Sequence, residues 1–195
     1  MKHISALTLF FVLTLSLPLF AQPAWVRKQA TPQENTLNDI TRIPGTNKLI
    51  AVGEGSTVMI SEDAGESWQI ITNPAAMEND YMAKTVCFTN ESTGFIGGSY
   101  NTILKTTDGG YTWNVKLIKD SIYKENCFGS IVFSNLLTGF AFNDDKLYRT
   151  LDGGENWDTI LSDYYGFNNI AFTDNMNGYM VATSRCTEDS NTTNH

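Results

Sequence analysis

The sequence predicts an all-β chain of repeated four-stranded antiparallel units, and three observations lead there. The first is an eight-residue phrase stated three times. It reads Ser61-Glu62-Asp63-Ala64-Gly65-Glu66-Ser67-Trp68, Thr106-Thr107-Asp108-Gly109-Gly110-Tyr111-Thr112-Trp113 and Thr150-Leu151-Asp152-Gly153-Gly154-Glu155-Asn156-Trp157. The second is its period: the aspartates of Ser/Thr-x-Asp-x-Gly-x-x-Trp lie 45 and 44 residues apart. A fixed period of this length marks a repeat architecture. The third is the texture of the intervening chain. Runs of β-branched and aromatic residues are punctuated by Gly, Asn and Asp, which reads as short strands and tight turns. Four strands in about 45 residues is the size of one β-propeller blade.

The elements follow in order. Residues 1–21 form an expected export signal: Lys2, an apolar run from Ala6 to Phe20, then Ala21-Gln22. The run is shorter than the ~20 apolar residues a spanning helix needs. Propeller blades are expected over residues 22–183. Trp25 precedes Trp68 by 43 residues, so Trp25-Val26-Arg27-Lys28 matches the outer strand of a blade whose other strands are absent upstream. In a closed ring it would complete the last blade. The first unit supplies strands at Asp39 to Ile43, Lys48 to Gly53 and Thr57 to Ser61, followed by its phrase and Trp68. The second has Thr85 to Asn90, Thr93 to Gly98, Thr102 to Thr106 and Thr112 to Leu117; the third has Ile131 to Asn135, Thr138 to Phe142, Lys146 to Thr150 and Asn156 to Ile160. A fourth begins with Asn169 to Asp174 and Asn177 to Ala182, then gives way to a polar tail at 184–195 without a further Asp turn. The count is about three and a half blades. Rings have four to eight blades, and repeats bury their faces only against neighbours. The chain is therefore expected to be part of a larger ring, to close with a second copy, or to form an open stack.

The phrase spans the hairpin between third and fourth strands. Asp63, Asp108 and Asp152 are expected to accept backbone N–H bonds within their own turns. Gly65, Gly110 and Gly154 suit left-handed backbone, while Trp68, Trp113 and Trp157 are expected to be buried between sheets. A shared catalytic or calcium site is not expected, because residues one blade apart are carried to different sectors of the ring.

Several function classes fall away. The net charge of −8 comes without a basic stripe, which argues against nucleic acid or an anionic membrane surface as partner. The only histidines are His3 and His195, so the body offers none for general-base, nucleophile-activating or metal-ligating roles. No metal, cofactor or catalytic residue is expected. Cys87, Cys127 and Cys186 make an odd count that permits one disulfide or none, and Cys87 in an apolar run reads as an inert thiol.

The phrase resembles the Asp box of bacterial neuraminidase repeats (BNR). The fuller pattern is similar to the photosystem II assembly and stability factor-like propellers. The residues that carry this are Phe88-Thr89-Asn90, Gly94-Phe95-Ile96-Gly97-Gly98, and Ile103-Leu104-Lys105 leading into the Asp turn and Trp113. The resemblance implies an exported, non-catalytic propeller that binds a protein partner or scaffolds assembly, secreted, periplasmic or at the cell surface. In photosynthetic members an arginine-rich surface binds assembly intermediates. Here Arg27, Arg42, Arg149 and Arg185 share no repeat position, so that role does not carry over. The alternative is a sialidase-like glycoside hydrolase fragment, on the strength of Arg42-Ile43-Pro44, which matches a sialidase motif whose arginine grips a carboxylate. A partner surface is expected on the rim opposite the Asp turns. Its candidates are Glu54, Tyr100 and Asp144 in short turns, and Asp80, Tyr81, Tyr123, Lys124, Tyr164 and Tyr165 in the loops Asn73 to Ala83, Lys119 to Gly129 and Ser162 to Asn168.

Overall fold

The computed structural model describes residues 34–71, 81–118, 127–162, 165–175 and 177–184. The expected signal, the Trp25 strand and the polar tail beyond Ser184 lie outside them.

Among the described residues fourteen strands form four sheets, each an antiparallel meander. The first blade is β1 (Leu37–Arg42), β2 (Leu49–Gly53), β3 (Val58–Ser61) and β4 (Gln69–Ile70). The second is β5 (Ala83–Phe88), β6 (Gly94–Gly98), β7 (Thr102–Thr106) and β8 (Asn114–Ile118). The third is β9 (Ser130–Phe133), β10 (Gly139–Phe142), β11 (Lys146–Thr150) and β12 (Asp158–Ser162). A half blade follows, β13 (Tyr165–Phe172) paired with β14 (Gly178–Ser184). The first strands of successive blades lie side by side, β1 to β5 to β9 to β13, as the inner strands of a propeller do. The described residues make up three and a half blades, as the period predicts.

Two details differ from the sequence reading. A 3-10 turn at Ser99–Asn101 interrupts the connection from β6 to β7. β13 starts at Tyr165 rather than Asn169, because Tyr165 to Phe167 find partners in Ala182 to Ser184 of β14. The expected loop from Ser162 to Asn168 is therefore mostly strand.

The Asp turns are closed by their own side chains. In the second blade Asp108 Oδ1 accepts the Tyr111 and Thr112 N–H groups at 3.0 and 2.9 Å, and Oδ2 accepts the Thr112 hydroxyl at 2.6 Å. Thr106 Oγ1 donates to Asp108 at 2.8 Å and accepts from Gly110 N at 3.0 Å. Asp63 and Asp152 repeat the arrangement with Ser67 and Asn156 in the place of Thr112. Each turn is also tied to the hairpin between first and second strands of its blade, through Ala64 N to Asn47 O, Gly109 N to Ser92 O and Gly153 N to Leu137 O. Those two sets of turns form one rim.

Blades interlock through the glycines. A Cβ on Gly110 would lie 2.8 Å from Ile50 Cδ1 of the preceding blade, and one on Gly154 would overlap Phe95. Gly154 thus needs its missing side chain twice, for φ of +80° and for the ring that sits on it. Phe95 is fully buried, stacked on Phe133 at 4.5 Å and edge-on to Trp157 at 6.3 Å. Burial of such a ring contributes about 1.5–3 kcal/mol. Trp113 and Trp157 are buried as expected, but Trp68 is only half-buried, since no blade precedes it among the described residues. Lys105 reaches into the next blade, donating to Gly153 O and to Glu155 Oε1, both at 2.7 Å.

Candidate binding surface

The rim opposite the Asp turns is built from the connections between second and third strands. In the first blade Gly53 N donates to Thr57 O and Glu54 N to Thr36 O, so Glu54 is held at the tip with its side chain exposed. In the second, Tyr100 and Asn101 both sit in left-handed backbone, at φ of 58° and 51°. Two consecutive non-glycine residues in that region store strain of about 1–3 kcal/mol each. What fixes them is partly the neighbouring blade: Asn143 Nδ2 donates to Asn101 Oδ1 at 2.7 Å. Asn143 Oδ1 in turn accepts from Asp145 N and Lys146 N, closing the third blade's tip with Asp144 and Asp145 exposed. The Asn101–Asn143 bond ties the turn of half-exposed Tyr100 to the turn that carries Asp144. The described part of this rim is acidic, with Glu54, Asp144 and Asp145 as its exposed charges.

Tyr81 requires a correction: it is buried, at 4% exposure, and is not part of any surface. Its ring occupies the space that a side chain on Gly98 would fill, and its carbonyl accepts from Ser56 N of the first blade. Burial, with a smaller contribution from Cys127, pushes its hydroxyl far above the ordinary tyrosine range. Asp80, Tyr123, Lys124 and Tyr164 lie outside the described residues, and of Tyr165 only the backbone is described.

A groove of about 550 Å³ lies where the ends of β5 and β9 meet the following turns, lined by Cys87, Phe88, Thr89 and the segment Ile131 to Leu136. Sequence reasoning missed it. The Phe-Thr-Asn and Phe-Ser-Asn ends of these strands were visible, but that two blades leave a gap between them was not. Asn135 is spent on its own turn, accepting from Leu137 N and Thr138 N at 2.9 Å each. Burial, reinforced by the Asp39 carboxylate, pushes the Cys87 thiol up to about 12, so it is not a thiolate nucleophile at neutral pH. Cys87 forms no disulfide.

Arg42, the residue behind the glycosidase alternative, clamps the turn after β1: its Nε donates to Thr46 O at 2.6 Å. Among the described residues no cluster of His, Cys, Asp and Glu could hold a metal, and no helix is long and apolar enough to cross a membrane.

Residues 73–165 match the family model described as photosynthesis system II assembly factor YCF48. The chain is 24% identical over 172 residues to the photosystem II assembly lipoprotein Ycf48 of Synechococcus sp. (strain CC9902), covering 83% of this chain and 50% of that protein. It is 39% identical over 74 residues to the chloroplastic photosystem II stability/assembly factor HCF136 of Arabidopsis thaliana, covering 35% of this chain and 18% of that protein. Among solved structures, YCF48 bound to D1 peptide superposes with a TM-score of 0.64 at 25% identity, over 79% of this chain and 49% of that one. A GH74 enzyme of Niastella koreensis superposes with a TM-score of 0.60 at 17% identity, over 75% of this chain and 26% of that one, a likeness of fold alone. The chain spans half the length of the Ycf48 relative or less of each of these proteins. The described residues form Asp-box propeller blades that are similar to those of photosystem II assembly factors.

Proposed function

We propose that the chain is an exported, non-catalytic propeller module that captures a segment of a protein partner, in the manner of an assembly scaffold. The observation that carries this is the likeness to a YCF48 chain solved with a peptide bound, at 25% identity over 79% of this chain. Three features support it. The relatives matched in sequence bear the names of assembly factors. Arg42 is engaged in its own turn, and the Cys87 thiol is held protonated. Export rests on the apolar run Ala6 to Phe20 and on the lipoprotein status named for the Synechococcus relative.

The surface proposed for capture is the rim carrying Glu54, Tyr100 and Asp144, with Asp80, Tyr123, Lys124, Tyr164 and Tyr165 retained as its loop contributors. Tyr100 presents an aromatic face in a fixed, strained turn. Rigid aromatic anchors of this kind supply contact at low entropic cost. The acidic charges on this rim favour a segment carrying Lys, Arg or a free amine.

The test uses the full chain with two probes, a fluorescein-labelled D1 peptide and an immobilised array of extended peptides. Saturable binding by fluorescence anisotropy, weakened about tenfold or more by Tyr100→Ala or by Glu54→Lys with Asp144→Lys, is expected. Binding unchanged in these variants would move the site off this rim. Absence of binding to every peptide, or hydrolysis of sialosides or xyloglucan by the intact chain, would refute the function.

A further inference from the structure

We propose that the groove along β9 docks an extended segment of a protein partner, one that buries a bulky apolar side chain against Leu136 and carries lysine or arginine beside it. This surface is separate from the rim of Glu54, Tyr100 and Asp144. Its lining includes Thr89 and Ser134 to Leu136, which belong to the first hairpins of their blades and therefore to the Asp-turn rim. The groove lies inside the stack, between the second and third blades, each of which has all four strands.

Its shape fits an extended chain. One wall is the unbroken segment Ile131 to Leu136, so the groove follows a strand lengthwise. At about 550 Å³ it is within the size range of ligand sites. Ser134 N donates to Thr138 O, on the β10 side, at 3.0 Å. Successive residues of a strand face opposite edges, so Ile131 and Phe133 turn their N–H and C=O groups to the edge where β9 has no partner strand. In β5 the equivalent edge is closed by the preceding blade, whose Asp39 Oδ2 accepts from Val86 N at 2.8 Å. Thr85 holds the place of Asp39 one blade on and makes no such bond to Ile131. An extended peptide can therefore add to β9 as a strand.

The side chains at the mouth define the chemistry. Leu136 and Leu137 are 60% and 59% exposed, where the matching turn of the second blade has Glu91 and Ser92. The turn itself is closed by Asn135 and by the backbone of Leu137, so its geometry does not call for leucine at either position. No residue lining the groove is charged. The cations of this rim are engaged elsewhere: Lys48 with Glu62 at 2.9 Å, Lys105 with Glu155 at 2.7 Å, and Arg42 with Thr46 O. Arg149 pairs with Phe140, on the face that meets Phe172 of the half blade. Glu91 and Asp152 thus leave the surroundings acidic, which favours a basic residue next to the apolar anchor.

The test uses the full chain and a fluorescein-labelled, N-acetylated peptide, Gly-Lys-Val-Phe-Lys-Ser-Gly, followed by fluorescence anisotropy. Saturable binding is expected. It should weaken about tenfold or more when the peptide's Phe becomes Ser, when both Lys become Glu, or when its Val is N-methylated and cannot pair as a strand. The same loss is expected for Leu136→Glu, a change at an exposed position, and for Ser134→Trp, which fills the groove, both with unchanged far-ultraviolet dichroism. Tyr100→Ala is expected to bind as the wild type does, which separates this site from the opposite rim. The proposal is overturned if the wild type shows no saturation below about 1 mM, or if Leu136→Glu or the N-methylated peptide binds equally well. It is also overturned if phosphatidylcholine vesicles sediment with the wild type but not with Leu136→Glu, since the leucines would then contact lipid.

Discussion

Replacing Gly154 by alanine tests the glycine seat between blades. Gly154 has φ of +80°, where an L side chain costs about 1–2 kcal/mol. The new methyl would overlap Phe95 Cε1 and stand 2.7 Å from its Cζ. The ring has no free direction, because Phe133 and Trp157 hold it at 4.5 and 6.3 Å. Overpacking of this kind costs about 1–3 kcal/mol. Stiffening of the unfolded chain offsets about 0.4–1 kcal/mol, leaving a net loss of about 2–4 kcal/mol. Gly45→Ala is the control. It has φ of +76° but nothing within 4 Å of the added carbon, so backbone strain alone predicts a loss of about 1 kcal/mol or less. Urea denaturation followed by tryptophan fluorescence compares the two at equal m-value. A suppressor separates contact from strain: in a Phe95→Leu background the Gly154→Ala loss should shrink by about 0.5–3 kcal/mol. If the two alanine variants lose stability equally, or Phe95→Leu gives no relief, the glycine is a turn residue only and the seat does not exist.

Other outcomes follow from the same geometry. Lys105→Met keeps the stem of a side chain that is 7% exposed but leaves Gly153 O without its donor. A loss of about 1–3 kcal/mol is expected by denaturant titration, and no loss would mean that water replaces the ammonium. Tyr81→Ala should cost about 3–5 kcal/mol as a core truncation; a stable variant with weakened partner capture would return Tyr81 to the surface. Hydrogen bonds from Ser67 and Ser61 hold Asp63 down at about 2, and Asn156 and Thr150 hold Asp152 low as well. Because an unfolded aspartate titrates near 3.9, the stabilisation is fully present above about pH 5 and lost as pH falls through about 4 to 2. Asp152→Asn should therefore flatten acid unfolding monitored by circular dichroism over that window, and an unchanged acid transition would count against the turn bonds.

What the sequence determined by itself is what is local. The Asp turn closes within eight residues, using Thr106, Asp108 and Thr112 on their own backbone, so its composition and period revealed both the hairpin and the blade count. The polar residue at Ser67, Thr112 and Asn156 belongs to that same phrase and could have been read as the second donor to the aspartate. Contacts between blades were not legible, because each joins residues with many strands between them. Gly110 is the seat of Ile50, and Lys105 finds its acceptor at Gly153. The inward turn of Tyr81 depends on the space above Gly98, and the groove at Cys87 is lined jointly by the ends of β5 and β9. An aromatic residue in a loop has the same local pattern whether it faces solvent or core. Only the packing of the next blade decides which, because the hydrophobic gain comes from area removed from water and not from the residue's own neighbours in the chain.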